Sequence, residues 1–177
     1  MAPSSNLSLL LVLFLSLGMC VYSTRVVQSS DVCSKHPNPT NCVNILYNIA
    51  GIEAGIELPG SIPPYIINNI GHTGAFGTYT LLNTLIHNAT DPQLKQRYIT
   101  CSTDYVVTLD YFNSAKDAYT SADYKGIKSS AANVIKAVQD CDWRPPYDPS
   151  QLPLLNNHMQ DVSNIISVLA DFLLGTY

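Results

Sequence analysis

No charged side chain occurs in the first 23 residues of this 177-residue chain, and cationic residues are scarce throughout, with 9 Lys and Arg against 13 Asp and Glu. The resulting net charge of −4 leaves no basic footprint for nucleic acid or for an anionic membrane surface. Polyanions such as pectate are not attracted either, so a neutral or basic partner fits best. No C-x-x-C occurs, and His36, His72, His87 and His158 are scattered, which argues against zinc or any other metal cofactor. No G-x-S-x-G is present, and the only glutamates, Glu53 and Glu57, lie one helical turn apart with no base or metal beside them. These absences argue against an enzyme. Long β-branched alternations are lacking too, so no sheet is expected.

No apolar run is long enough for a membrane span. Leu7 to Val21 is almost wholly apolar but covers about 15 residues, where a span needs roughly 20. Small residues at Val21 and Ser23 follow, and the segment 1–23 reads as a secretory signal peptide with the mature chain starting near Thr24. Its removal leaves 154 residues, enough for one domain, bound for the extracellular space. Cys20 departs with the signal, leaving Cys33, Cys42, Cys101 and Cys141, an even count that implies disulfides in a secreted protein.

From Pro92 the apolar pattern is helical. Leu94, Tyr98, Cys101, Tyr105, Thr108, Phe112, Ala115 and Tyr119 alternate at spacings of four and three, one face of a long bundle helix. Asp91 with Pro92, or Thr90 with Gln93, supplies its N-cap, and 120–123 is a break. Ile127, Ala131, Val134, Val138 and Cys141 repeat the spacing, as do Leu155, Met159, Val162, Ile166, Leu169 and Leu173. The four prolines between Asp142 and Pro153 make that stretch a linker, with Trp143 as a lid over the bundle end. A fourth helix, over 65–88, carries its seam on Ile67, Ile70, Leu81 and Thr84. Gly74 and Gly77 fall on the same seam and, with Gly71 nearby, suggest close approach of a neighbouring helix. No strand precedes these glycines, so they are not a nucleotide loop.

Distance along the helices pairs the cysteines. With a turn near residue 121, Cys101 lies 20 residues before it and Cys141 lies 20 after. At 1.5 Å per residue both sit about 30 Å from the turn, on facing seams. A Cys101–Cys141 bridge fits and leaves Cys33–Cys42, whose intervening Pro37 and Pro39 allow the chain to bend back.

With these residues placed, the chain resembles the plant pectin methylesterase inhibitor and invertase inhibitor family over essentially its whole mature length. The carrying features are Cys33-Ser34-Lys35-His36-Pro37-Asn38-Pro39-Thr40-Asn41-Cys42, the 40-residue spacing of the later cysteines, and the block Ala89-Thr90-Asp91-Pro92-Gln93-Leu94-Lys95-Gln96-Arg97-Tyr98-Ile99-Thr100-Cys101-Ser102. The resemblance implies an all-α fold: an N-terminal helical hairpin over 24–60, then an up-down-up-down four-helix bundle over 61–177. It further implies no catalytic activity, no cofactor, and a monomer that binds a target enzyme one-to-one and covers its cleft.

Two targets are implied, pectin methylesterase or acid invertase. Invertase inhibitors place Pro-Lys-Phe near the start of the third bundle helix, where this chain reads Tyr124-Lys125-Gly126, which favours pectin methylesterase. Inhibitors of that enzyme tend to carry acidic residues after the third cysteine; the matching positions here are Thr103, Val107 and Asp110. Tyr111 and Tyr124 lie off the apolar seam and are contact candidates, and Lys125 is the candidate at the turn. Asp104 and Asp117 read as ordinary surface charges. Asn88-Ala89-Thr90 is a glycosylation sequon at a helix junction. Rival readings are a small lipid carrier, which needs an empty apolar cavity around the glycine-bearing seam, and a non-inhibitory relative that has lost its contacts.

Overall fold

A computed structural model describes residues 24–142 and 147–177. Residues 1–23, expected to be a signal peptide, and Trp143, expected to be a lid, lie outside the described residues. Two three-residue strands, β1 (Arg25–Val27) and β2 (Ile56–Leu58), pair antiparallel around an N-terminal hairpin of α1 (Ser29–Ser34) and α2 (Pro39–Tyr47). The ribbon corrects the expectation of no sheet. Its outward Val26 and Glu57 and inward Val27, Ile56 and Leu58 alternate as a half-buried ribbon should, but over too few residues to show as a pattern. Gly55, at φ 93°, turns the chain into β2, in a conformation that a side chain resists.

Four long helices follow. α3 runs through Ile62–Tyr65, a π-helical stretch Ile66–His72, and Thr73–Asn88; α4 is Pro92–Thr120, α5 Tyr124–Asp142 and α6 Leu152–Leu174. Each packs on its sequence neighbour and α6 returns to α3, which closes a four-helix bundle. Asp91, not Thr90, caps α4, its carboxylate accepting from Gln93 N at 2.8 Å. At the far end Ala122 takes a left-handed φ of 56°, and Asp123 caps α5 by accepting from Gly126 N at 3.0 Å. α6 begins within the expected linker, at a buried Leu152 with Pro153 in its first turn, where a missing N–H costs nothing.

The seams of α4 and α5 are as the spacing requires: Tyr98, Cys101, Tyr105, Thr108, Phe112 and Ala115 are buried, and so are all five positions from Ile127 to Cys141. In α3 the seam differs. From Ile66 on, the buried residues are Ile66, Ile67, Gly71, Ala75, Thr78 and Leu82, the last four lying one position on from the expected 70, 74, 77 and 81. The π-helical turns take up extra residue per turn, so every later position slips round the axis. Gly71 therefore lies under the Phe112 ring and Gly74 faces the Met159 methyl, as close approach predicted, whereas Gly77 and Thr84 face outward.

Disulfides join Cys33 to Cys42 and Cys101 to Cys141. Polar bonds dock the peripheral pieces. In the hairpin, buried His36 donates from Nε2 to Asp161 O of α6 at 2.9 Å, and Asn41 Nδ2 donates to Asp161 Oδ2 at 2.8 Å. The α5–α6 connection is held by Asp148, 3% exposed, which accepts from Tyr98 Oη and Ser150 N at 2.8 Å and lies 3.9 Å from Arg97 Nε. Below it, Tyr105 Oη donates to Asn156 Oδ1 at 2.7 Å, while Asn156 Nδ2 donates to Asp142 Oδ1 at 2.5 Å.

Candidate functional site: the outer face of helices α4 and α5

The inward seam of α4 decides what its other side presents. Opposite the buried stripe run Ile99, Thr103, Val106, Asp110, Ser114 and Asp117, at spacings of three and four. All are exposed. From Thr103 to Asp117 this stripe extends about 20 Å along a 29-residue helix. Thr103, Val107 and Asp110 fall together here, one and two turns apart. Tyr111 does not join them: it is half-buried and packs against the core, as does Tyr124. Both were contact candidates on spacing alone; an off-seam ring is long enough to reach back over its helix's flank.

Hydroxyls on the stripe are turned to their own helix. Ser114 Oγ donates to Asp110 O at 2.9 Å and Thr103 Oγ1 to Ile99 O at 3.4 Å. None of the described ion pairs involves Asp110 or Lys125. Exposed apolar side chains flank the carboxylates: Ile99 is 41% exposed, Val106 45% and Val107 38%. The face therefore offers acidic and apolar contacts together.

Beyond Asp110 the stripe enters a groove of about 450 Å³ between α4 and α5, lined by Ser114, Asp117, Ser121, Asp123, Gly126 and Ser129 among others. No cation lines it. Gly126 is required by the close crossing, since a Cβ there would meet Asp123 and lie 3.2 Å from the Ala118 methyl. Lys125 is exposed on the outer side of α5, in line with Lys136 three turns on, and does not line the groove. Asp110 and Lys125 thus belong to different parts of the surface, about 15 Å apart along the helix axis by rise alone. Asp117, read from sequence as an ordinary surface charge, belongs with Asp110; its seven-residue offset from Asp110 carried that signal.

Among the described residues no group of three His, Cys, Asp or Glu side chains could hold a metal. Among them, too, no helix is long and apolar enough to cross a membrane. Asn88 is exposed at the end of α3, and Asp91 rather than its sequon partner Thr90 serves as the cap.

Comparison with known proteins supplies what the geometry leaves open. The chain is 31% identical over 150 residues to the pectinesterase inhibitor of Actinidia deliciosa, covering 83% of this chain and 80% of that protein. The chain belongs to the pectinesterase inhibitor family. Pectinesterase inhibitor 2 of Arabidopsis thaliana is 20% identical over 157 residues, 85% of this chain and 87% of its own. No protein-family profile matches the chain. The fold is shared with a crystal structure of a mutant form of an Arabidopsis pectin methylesterase inhibitor, at a TM-score of 0.67 and 18% identity, over 82% of this chain and 96% of that one. A second crystal structure, of a pectin methylesterase inhibitor from Arabidopsis thaliana, superposes at a TM-score of 0.60 and 20% identity, over 82% of this chain and 95% of that one. The family's all-α architecture and the bundle found here agree.

Proposed function

We propose that this chain is a secreted, non-catalytic inhibitor of pectin methylesterase that binds the enzyme one-to-one and occludes its substrate cleft with the outer face of α4 and α5. The observation that carries the reading is the 31% identity to a pectinesterase inhibitor across four-fifths of both chains. What supports the choice of face is the stripe from Thr103 to Asp117, where carboxylates and apolar groups lie exposed on a stiff helix pair cross-linked by Cys101–Cys141. A rigid surface loses little conformational entropy on docking. Occlusion needs no chemistry from the inhibitor, only contacts that keep the polymer out. The acidic stripe would meet basic or polar groups at the cleft rim. Between Pro63, Ile67, Tyr119, Ile166 and Leu169 the described bundle leaves about 10 Å³, room for at most one water and too little there for the ligand a lipid carrier requires.

The test is titration of the purified mature protein against a plant pectin methylesterase and an acid invertase side by side. Loss of pectin methylesterase activity at stoichiometric inhibitor, with invertase unaffected, is expected. Asp110→Ala should weaken the complex by about 1–3 kcal/mol if the carboxylate is desolvated against a charged partner. Thr103→Glu, which adds a carboxylate two turns away, should tighten it. Full inhibition of invertase with pectin methylesterase left active would overturn the proposal and point to Lys125 instead.

A further inference from the structure

On the other side of the molecule α2, the π-helical part of α3 and α6 enclose a groove of about 590 Å³, within the range of small-ligand sites. We propose that this groove binds a neutral oligosaccharide. The first argument is the placement of carboxamides. Asn41, Asn44 and Asn48 follow one another at spacings of three and four along the groove side of α2, and Asn157 faces them from α6. Asparagine is a poor residue for a helix interior, so propensity does not account for Asn41 and Asn44 within a nine-residue helix, whereas Asn48 closes its end by donating from Nδ2 to Asn44 O at 2.7 Å. Asn41 and Asn48 thus each spend one N–H within the protein, on Asp161 Oδ2 at 2.8 Å and on Asn44 O, while the exposed carboxamides of Asn44 and Asn157 present a donor pair and an acceptor, which matches the paired hydroxyls of a sugar ring.

The floor between them is apolar. Buried Ile45 and Ile49 and half-buried Ile70 and Leu155 line it, and Tyr65, 44% exposed, stands at the wall. Sugar rings carry C–H faces that such a floor and an aromatic ring can cover, with their hydroxyls at the rim. Charge excludes the competing ligands. No Lys or Arg lines the groove; Asp161 does, and the imidazole of His158 on the same wall is pushed below its ordinary value by burial, against the Asp161 charge, which favours its neutral form. A fatty acid or a free uronate would bring its carboxylate beside that of Asp161 without a cation. A purely apolar peptide or acyl chain would cover the Asn44 and Asn157 carboxamides without hydrogen-bonding them, at a cost of about 1–3 kcal/mol each. The Asp161 wall is held in place from behind, by Asn41 Nδ2 at 2.8 Å and by His36 on its backbone carbonyl.

No residue of α4 or α5 lines the groove, so the inference stands apart from the inhibitory reading, and both sites can be filled at once. The test is NMR titration of the mature protein with cellotetraose, fully methyl-esterified tetragalacturonide, unesterified tetragalacturonate and a fluorescent fatty acid. At least one of the two neutral sugars should shift the side-chain amides of Asn44, Asn48 and Asn157, and the two carboxylate ligands should not. Asn44→Ala combined with Asn157→Ala should weaken that binding about tenfold or more while leaving the melting temperature and enzyme inhibition unchanged. Asp110→Ala should leave sugar binding untouched. Absence of shifts with both neutral sugars at millimolar concentration, survival of binding in the double variant, or occupation of the groove by the fatty acid would each overturn the proposal.

Discussion

Three glycines on one helix offer the same substitution in three surroundings, and the slipped seam of α3 predicts a different result for each. Gly→Ala in a helix interior gains about 1 kcal/mol through lower entropy in the unfolded chain and better helix propensity. At Gly77 an added Cβ meets nothing within 4 Å, so the full gain should appear. At Gly74 it meets the Met159 methyl at 2.8 Å, the far end of a flexible side chain. A rotamer adjustment of about 0.5–1.5 kcal/mol then offsets the gain, and the net effect should be close to zero. At Gly71 the new methyl would collide with the Phe112 ring, itself 2% exposed and fixed on the α4 seam. With three ring atoms in the way, the overpacking cost lies in the upper part of the usual range, about 2–3 kcal/mol, and set against the propensity gain leaves a net loss of about 1–2 kcal/mol.

Thermal unfolding of the mature chain with both disulfides intact reads these directly. For a chain of this length 1 kcal/mol corresponds to about 2–4 °C, so Gly77→Ala should melt higher by that amount and Gly71→Ala lower by at least as much. The opposite order would refute the reasoning. If Gly77→Ala destabilised and Gly71→Ala were neutral, the seam would follow the uninterrupted helical spacing and the π-helical slip would be wrong.

Two further substitutions probe the α5–α6 connection. Burial pushes the Asp142 carboxyl above its ordinary value, against the bond from Asn156 and the Arg97 charge, so the folded state holds this proton more tightly than the unfolded chain does. Its stabilising contribution is present at low pH and is lost as pH rises from the unfolded carboxylate value through the raised folded one. Asp142→Asn, which keeps an acceptor for Asn156, should therefore gain stability over the parent as pH rises through that window, and a gain confined to acid in urea unfolding would refute this. Replacing Cys101 and Cys141 together by serine frees a 40-residue loop and should cost about 4 kcal/mol in the same assay, against about 3 kcal/mol for the nine-residue Cys33–Cys42 loop. An equal or reversed ranking would show that residual structure or strain, not loop entropy, sets their worth.

The helices that were legible in sequence are those whose burial is continuous over several turns. In α4, Tyr98 to Ala115 holds one face for five turns, and no local feature interrupts the count. α3 was legible as a helix but not in register, because the slip arises within Ile66–His72, where an unbroken helical spacing gives no sign of an added residue. β1 and β2 were lost for a different reason: with three residues each, they owe their existence to pairing with one another across the hairpin. Asp148 was equally hidden in a proline-rich stretch, since its importance comes from Tyr98 and Arg97, about 50 residues earlier.

The candidate site was less legible than the fold, and α4 shows why. In the block from Ala89 to Ser102 that carries the family resemblance, Arg97, Tyr98 and Cys101 all point inward: two anchor the α5–α6 connection through Asp148 and the third forms the disulfide. That block therefore reports the bundle. Thr103, Val107 and Asp110 lie on the opposite side of the same helix, exposed, and nothing in the fold depends on their identity. A helix so divided can keep its inner stripe under packing constraint while its outer stripe changes with the partner it meets. Under the inhibitory reading proposed above, the differences at Thr103 and Val107 are changes of that second kind. They leave the helix and its cross-link intact and alter only what the surface presents, so an inhibitor built on this bundle can be retuned toward a new enzyme surface without passing through an unstable intermediate.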